Sequence, residues 1–263
     1  MQDFFSATGQ QRLDETMRIG MLCVFDFDGT LTPITARPEE ASLAQDMLAR
    51  LRDLSACAPV AILSGRAVAD IRPRLDFSPA YVVGNHGLEG VPGWRPSPHH
   101  EICCRAWHAQ LQAALIDGAR FMPGIWIEDK RYTLSLHYRD VVDPVLMERR
   151  LMDLFAELQP PPRVIAGKCV FNLLPQDSVD KGKALEQLLL FSGAPSAIYV
   201  GDDVTDEHVF RLRRPDVMTV RVERSEESAA DFFVEAYDDM PRLLDELIRR
   251  LRSLTQRRSE GKI

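Results

Sequence analysis

The chain has 263 residues, of which 45% are hydrophobic and 27% are charged. This composition supplies a core for one large domain or for a domain with an insertion, and it argues against disorder, collagen-like repeats and a coiled coil. The formal net charge of −7 argues against nucleic-acid binding, which usually requires an excess of basic residues on one face.

Targeting signals are not evident in the sequence. No apolar run approaches the 18 or so residues of a membrane span, and the first twenty residues carry Asp3, Asp14 and Glu15 in place of an uncharged apolar stretch. The five cysteines form an odd set with one adjacent pair, which is typical of reduced thiols. We therefore expect a soluble, cytoplasmic protein.

Short apolar runs that end abruptly in polar or glycine residues mark the first predicted strands. These runs are residues 22–25, 60–63, 81–83 and 197–200. Continuous apolar runs of this length are typical of strands buried on both faces, as in a parallel sheet. Helical repeats of Leu and Met lie between them, for example at 43–51 and 185–189. The alternation predicts an α/β fold with a doubly wound, mostly parallel, Rossmann-like sheet.

The middle of the chain shows a different pattern. Polar and apolar residues alternate over 125–128 and 133–139, which predicts an antiparallel hairpin that turns near 129–131. Helices are expected at about 101–117 and 143–158, against the apolar face of the hairpin. We therefore predict an α/β core domain over residues 1–88 and 173–263, with an inserted α+β cap domain over residues 89–172.

Acidic side chains cluster where the predicted parallel strands end. Asp26 and Asp28 follow the first run, and they repel each other unless a cation lies between them, which indicates a hard divalent metal. A second cluster follows the run at 197–200 and comprises Asp202, Asp203 and Asp206. Ser64 and Lys181 add the hydroxyl and the positive charge that a phosphoryl group needs. Together these residues predict metal-assisted phosphoryl transfer.

The chain resembles the haloacid dehalogenase superfamily of phosphatases. The resemblance is carried, in the expected order, by Asp26-Phe27-Asp28-Gly29-Thr30, Ser64, Asp180-Lys181-Gly182-Lys183 and Gly201-Asp202-Asp203-Val204-Thr205-Asp206-Glu207. Within that superfamily, longer strings at 28–34, 64–66 and 84–89 are similar to the trehalose-6-phosphate phosphatase family. The likeness spans about residues 21–235.

The resemblance implies a mechanism. Asp26 would form an aspartyl-phosphate, and Asp28 would protonate the leaving sugar oxygen and then deprotonate water. Ser64 and Lys181 would hold the phosphoryl oxygens, and the pattern favours Lys181 over Lys183. The implied cofactor is Mg²⁺, with metal-shell residues Asp26, Asp28 (through its carbonyl), Asp202, Asp203 and Asp206.

Substrate-binding residues are implied by the same resemblance. In the core they are Thr30, Gly65, Arg66, Asn85 and His86, although a hinge role for His86 is an equal alternative. In the cap they are Glu128, Lys130, His137, Arg139, Lys168 and Asn172. One position departs from the pattern, because Asn172 stands where the family usually has a glutamate.

The expected activity is therefore Mg²⁺-dependent release of phosphate from trehalose 6-phosphate, in trehalose biosynthesis. Because of the change at Asn172, a different sugar phosphate, such as sucrose phosphate or mannosyl-3-phosphoglycerate, is the alternative substrate. A non-catalytic sugar-phosphate sensor is a third reading, against which the intact Asp28 argues. We expect a monomer that binds a small-molecule sugar phosphate and neither nucleic acid nor membrane.

Overall fold

A computed structural model of the protein describes residues 1–35, 37–116 and 124–261. They form two compact units, one of Met1–Trp94 with Asp180–Ile263 and the other of Arg95–Val179. Within the described residues, no helix combines the length and the apolar character needed to cross a membrane.

The secondary structure alternates in the larger unit and is mixed in the smaller one. The strands are β1 (Gln2–Asp3), β2 (Leu22–Phe25), β3 (Val60–Leu63), β4 (Tyr81–Val83), β5 (Trp126–Asp129), β6 (Leu134–His137), β7 (Arg163–Gly167), β8 (Val170–Leu174), β9 (Ala197–Gly201), β10 (Val217–Val222) and β11 (Phe232–Val234). The α-helices are α1 (Ala7–Thr16), α2 (Gln45–Ser55), α3 (Val68–Ile71), α4 (Pro98–Leu111), α5 (Pro144–Glu157), α6 (Lys181–Ser192), α7 (Glu207–Phe210) and α8 (Met240–Ser259).

The larger unit is built on one parallel sheet with the strand order β1-β11-β10-β9-β2-β3-β4. The chain leaves β2 outward through β3 and β4, and it returns to the other side of β2 through β9. Strand order therefore reverses at β2, and the crevice beside the carboxyl ends of β2 and β9 is where such sheets bind ligands.

Side chains of the central strand alternate between two apolar layers. Cys23 and Phe25 pack in the layer that contains α1, α2 and α8, whereas Leu22 and Val24 pack in the layer that contains α6 and α7. All four side chains are fully buried. Burial on both faces explains the continuous apolar run, and it confirms the predicted doubly wound sheet.

The smaller unit carries an antiparallel sheet in the order β5-β6-β8-β7. Its apolar face, which includes Leu134, Leu136 and Phe171, packs with α4 and α5 in a separate core. The predicted helices begin and end within a few residues of α4 and α5. Gln112–Ile116 continue α4 as a π-helical turn, and the predicted end at residue 117 lies outside the described residues.

The boundaries between the units fall later than the predicted ones at 88/89 and 172/173. Val91 and Trp94 pack in the apolar layer of the larger unit, so this stretch belongs with it. At the other boundary, β8 pairs with β6 as far as Leu173 and with β7 as far as Leu174, which keeps the chain in the smaller unit.

Candidate active site

Three polar side chains follow three neighbouring strands at one edge of the parallel sheet. Phe25 lies opposite both Ile62 and Val200 in the strand register. By this register Asp26 after β2 lies opposite Leu63 and Gly201, so Ser64 after β3 and Asp202 after β9 follow one residue further along at the same edge of the sheet. The parallel topology thus brings to one edge residues that are far apart in sequence, as predicted.

The carboxylates of Asp26, Asp202 and Asp206 converge. One oxygen from each lies within 4.8 Å of the others, and all three residues are buried. Burial, with Asp206 and Asp202 nearby, raises the pKa of Asp26 well above its ordinary range, whereas Lys181 acts in the opposite direction. A buried cluster of hard oxygen donors fits a divalent metal ion such as Mg²⁺.

Lys181 faces this cluster from the first turn of α6. The helix begins there because the Asp180 side chain caps it by accepting a hydrogen bond from the Lys183 backbone N–H (2.9 Å). Lys181 Nζ lies 3.0 Å from Asp26 Oδ1 and 2.8 Å from Asp206 Oδ1. Burial disfavours its charge, but Asp206 and Asp26 outweigh burial and raise the pKa of Lys181. Lys183 is exposed.

Asp206 has both oxygens occupied by protein donors. Oδ1 accepts from Lys181 and from the hydroxyl of Tyr199 (2.5 Å), and Oδ2 accepts from the backbone N–H groups of Asp202 (2.9 Å) and Asp203 (2.8 Å). A carboxylate has about four lone-pair sites. Asp206 is thus equipped to orient Lys181 and the 202–203 backbone, whereas Asp26 and Asp202 have more capacity left for a metal ion.

Asp202 is held in place by the loop of residues 26–30. Thr30 Oγ1 donates to Asp202 Oδ1 (3.1 Å). Burial, then Asp206 and Asp203, raise the pKa of Asp202 to about 7, against the opposing effects of Lys181 and Thr30. Gly29 approaches the same carboxylate so closely that a Cβ at this residue would lie 2.1 Å from Asp202 Oδ2.

Gly29→Ala should therefore displace Asp202. We expect the Mg²⁺ concentration for half-maximal phosphate release to rise ~10–100-fold, the range seen when groups that support metal ligands are disturbed. Gly93→Ala is the matched control, because Gly93 has a similar positive φ (+81° against +79°) and nothing lies within 4 Å of its Cβ position. Equal Mg²⁺ responses in the two variants would show that only backbone strain matters.

Arg66 contacts both Asp28 and Ser64. The guanidinium of Arg66 donates to both carboxylate oxygens of Asp28, from Nε (2.7 Å) and from Nη2 (2.6 Å). The backbone N–H of Arg66 donates to Ser64 Oγ (3.2 Å), which leaves the Ser64 hydroxyl proton able to donate to another group.

The turn Asn85–Gly87 supports the loop after β3. The backbone N–H of Asn85 donates to the Arg66 carbonyl (2.7 Å), and that of His86 donates to the Ser64 carbonyl (3.0 Å). Asn85 Nδ2 donates to Glu89 Oε2 (2.9 Å). A Cβ at Gly65 would lie 2.5 Å from His86 Cε1, so Gly65 is the residue that lets the imidazole ring pack here.

In the smaller unit, the sheet face opposite its apolar core carries a polar row. Glu128 Oε2 lies 2.9 Å from His137 Nε2 and 3.6 Å from Lys130 Nζ. Next to this group, Ser135 Oγ donates to Asn172 Oδ1 (2.6 Å). The structure thus brings together four of the six predicted cap residues. Arg139 and Lys168 are both exposed, and Arg139 Nη2 donates to the Lys168 carbonyl (3.4 Å).

Three residues that contact these groups were not predicted from the sequence. Tyr199 binds Asp206, Asp70 binds Arg66 (2.7 Å), and the indole of Trp126 stacks on His137 with ring centroids 3.8 Å apart. A signal existed for Tyr199, because a tyrosine in a strand buried on both faces needs a partner for its hydroxyl.

A family model described as trehalose-phosphatase matches residues 24–237. The trehalose-phosphate phosphatase of Mycobacterium tuberculosis is 33% identical to this chain over 239 residues, which cover 87% of this chain and 61% of that protein. A protein of the same organism named as an uncharacterized glycosyl hydrolase is 35% identical over 229 residues, 80% of this chain and 17% of that protein. The chain therefore spans less than two thirds of these relatives.

Solved structures share the fold. The C-terminal domain of C. albicans trehalose-6-phosphate phosphatase superposes with a TM-score of 0.72 at 22% identity, covering 91% of this chain and 96% of that one. At this identity the likeness concerns the fold alone, and it confirms the predicted core with a separate inserted sheet. From the match over residues 24–237 and the sequence relatives, the chain belongs to the trehalose-phosphatase family.

Proposed function

We propose that this chain is a Mg²⁺-dependent phosphatase that releases phosphate from trehalose 6-phosphate through an aspartyl-phosphate on Asp26. The observation that carries the proposal is the placement of Asp26, a buried carboxylate 3.0 Å from Lys181 Nζ at the carboxyl end of the central strand. Membership of the trehalose-phosphatase family supports trehalose 6-phosphate as the substrate.

In the first step, a carboxylate oxygen of Asp26 attacks phosphorus while the bond from phosphorus to the sugar oxygen breaks. Asp28 gives its proton to the departing oxygen, so that an alcohol leaves in place of an alkoxide. Lys181 Nζ and Ser64 Oγ supply a positive charge and a hydroxyl proton to the phosphoryl oxygens.

In the second step, water attacks phosphorus and Asp28 accepts the proton from it. The bond from phosphorus to Asp26 breaks, which returns the carboxylate and releases phosphate. Asp28 suits both proton transfers because 39% of its side chain is exposed. Asp26, at 7% side-chain exposure, is shielded from solvent.

Asp26 and Asp202 would hold the metal ion, together with the backbone carbonyl of Asp28. When bound, Mg²⁺ supplies positive charge that offsets the negative charge of the phosphoryl group. Asp206 orients Lys181 and the backbone at 202–203, with Asp203 beside it. Asp206 thus supports the site without binding the metal ion, because its oxygens already accept four hydrogen bonds.

Sugar recognition is assigned to the polar face of the smaller unit, with Glu128, Lys130, His137 and Asn172 as its central residues. The hydrogen bond from Ser135 to Asn172 Oδ1 uses the amide oxygen and fixes the orientation of the amide. The group that Asn172 offers to a sugar hydroxyl is therefore its Nδ2 donor. An amide therefore offers a directed donor where the family usually has an acid.

Asn172→Asp should remove that donor without changing the size of the side chain. We expect kcat/KM for the sugar phosphate to fall about 3–10-fold, the value of one ordinary hydrogen bond. Hydrolysis of p-nitrophenyl phosphate, which has no sugar, should stay unchanged. Ser135→Ala should act in the same direction with a smaller effect. A parallel loss for both substrates would place the effect outside sugar recognition.

The test of the function is phosphate release from trehalose 6-phosphate with Mg²⁺, beside sucrose phosphate, mannosyl-3-phosphoglycerate and glucose 6-phosphate. Preferential release from trehalose 6-phosphate, lost in Asp26→Asn, supports the proposal. Release from another sugar phosphate alone would keep the mechanism and replace the substrate, which is the outcome that Asn172 makes worth testing. No release from any of them would favour a sugar-phosphate sensor.

We further propose that the chain acts as a monomer in the cytoplasm on a small-molecule substrate, without nucleic acid or membrane as a partner. All five cysteines are free thiols, which fits a reducing compartment. Sedimentation analysis of the purified chain would test the monomer.

A further inference from the structure

Arg66 grips the carboxylate of Asp28 with a forked pair of hydrogen bonds. Nε donates to Oδ2 at 2.7 Å and Nη2 donates to Oδ1 at 2.6 Å, so both oxygens are held in one plane. The Arg66 side chain is only 7% exposed, whereas that of Asp28 is 39% exposed. The arginine is thus a fixed part of the protein interior, and the carboxylate is the end that reaches solvent.

Arg66 is itself fixed from the opposite side. Nη1 donates to Asp70 Oδ2 (2.7 Å) and Nη2 also donates to the Pro38 carbonyl (2.8 Å). Asp70 in turn accepts from Arg74 Nη2 (2.7 Å). Burial disfavours the charge of Arg66, but its bonds to Asp28 and Asp70 outweigh burial and raise its pKa, so it stays charged.

The geometry points to Arg66 as a positioning residue that orients the carboxylate of Asp28 for its two proton transfers, while Asp70 holds Arg66 in place. This inference rests on the proposed function, and it revises the expectation that Arg66 binds substrate. Four of the five N–H donors of the guanidinium are already directed at protein acceptors. The fork is also specific to arginine, since a lysine ammonium cannot hold two oxygens in a plane.

If Arg66 acts only through Asp28, the rate lost in the first step on removing Arg66 should depend on the leaving group. The rate lost in the second step should not. Release of a sugar oxygen needs the proton from Asp28, because an alkoxide leaves poorly. Release of p-nitrophenolate needs no proton, because the anion is stable in water. Attack of water on the aspartyl-phosphate needs Asp28 as the base whichever group has left.

The experiment compares wild type with Arg66→Met on trehalose 6-phosphate and on p-nitrophenyl phosphate, in the steady state and by rapid mixing. We expect kcat for the sugar phosphate to fall ~100-fold, at the lower end of the range for general acid–base catalysis. With p-nitrophenyl phosphate we expect a burst of about one nitrophenolate per enzyme, followed by slow turnover, because the covalent intermediate accumulates. KM for trehalose 6-phosphate should change little, whereas KM for p-nitrophenyl phosphate should fall together with kcat, because hydrolysis of the intermediate is then the slow step.

Three further variants sharpen the test. Arg66→Lys keeps the charge without the fork and should lose most of the same activity. Asp70→Asn should show a weaker version of the same burst, and it keeps the inference testable if Arg66→Met fails to fold. Arg72→Met is the matched control, since Arg72 is exposed on the neighbouring turn, and it should behave as wild type.

Other outcomes would overturn the inference. A lost burst with a raised KM for both substrates would show that Arg66 binds the phosphoryl group directly. Wild-type rates in folded Arg66→Met and Asp70→Asn would show that Asp28 needs no positioning. If wild type hydrolyses p-nitrophenyl phosphate but no sugar phosphate, the proposed substrate fails, while the burst still tests Arg66.

Discussion

Asp26→Asn should abolish phosphate release from every substrate, with a fall in kcat of at least ~10⁴-fold, because an amide cannot form the covalent intermediate. The substitution keeps the shape of the side chain and one oxygen. It also removes a negative charge from a buried group of three carboxylates. We therefore expect the variant to fold, and to bind Mg²⁺ more weakly than wild type because one carboxylate ligand has become an amide, which calorimetric titration would measure.

Acid-quenched wild-type enzyme, mixed with substrate, should carry a phosphoryl group on the peptide that contains Asp26, and mass spectrometry would detect it. Asp216→Asn is a suitable control, since it removes a carboxylate that pairs with Arg214 outside the site (2.7 Å). It should retain wild-type turnover. Substantial activity in Asp26→Asn, with no labelled peptide in wild type, would mean that water attacks the substrate directly.

The strands that end at the site could be predicted from the sequence for two reasons. Burial requires apolar residues within each strand, and the site requires polar residues directly after it. Leu22–Phe25, Val60–Leu63 and Tyr81–Val83 have the predicted limits. All of their residues except the half-buried Tyr81 are buried, and each strand ends where the chain meets the ligand edge and becomes polar. The convergence of Asp26, Ser64 and Asp202 then follows from parallel topology alone.

Other parts of the sheet gave no such signal. β10 interrupts its apolar run with Thr219 and Arg221, so it does not stand out from the surrounding chain. β1, with two exposed residues, is a strand only because it pairs with β11. These elements depend on partners already in place, and a single-sequence pattern does not contain that information.

The support around the catalytic groups could not be predicted for a similar reason. The Arg66–Asp28 fork joins residues 38 positions apart, and a motif shows that both are present without showing that they touch. In the smaller unit, the alternation over 125–139 predicted which face is polar, but the pairing of Ser135 with Asn172 depends on the register between β6 and β8.

Lys181→Met should destabilise the protein as well as inactivate it. Lys181 is 1% exposed and lies between Asp26 and Asp206, so its loss leaves buried carboxylates without their cation. Breaking a buried ion pair in this way costs about 3–5 kcal/mol of unfolding free energy. For a chain of this size, we expect a fall of ~10 °C in Tm, measured by scanning calorimetry with a chelator present.

Mg²⁺ should restore part of this stability, because it brings positive charge back to Asp26, one of the two carboxylates that pair with Lys181. We therefore expect the rise in Tm with added Mg²⁺ to be larger for Lys181→Met than for wild type, although kcat stays low without the ammonium. Lys183→Met is the matched control, two residues along α6 with an exposed side chain, and it should match wild type in both respects. If the two variants melt alike and respond alike to Mg²⁺, the buried carboxylates do not depend on Lys181 for their stability.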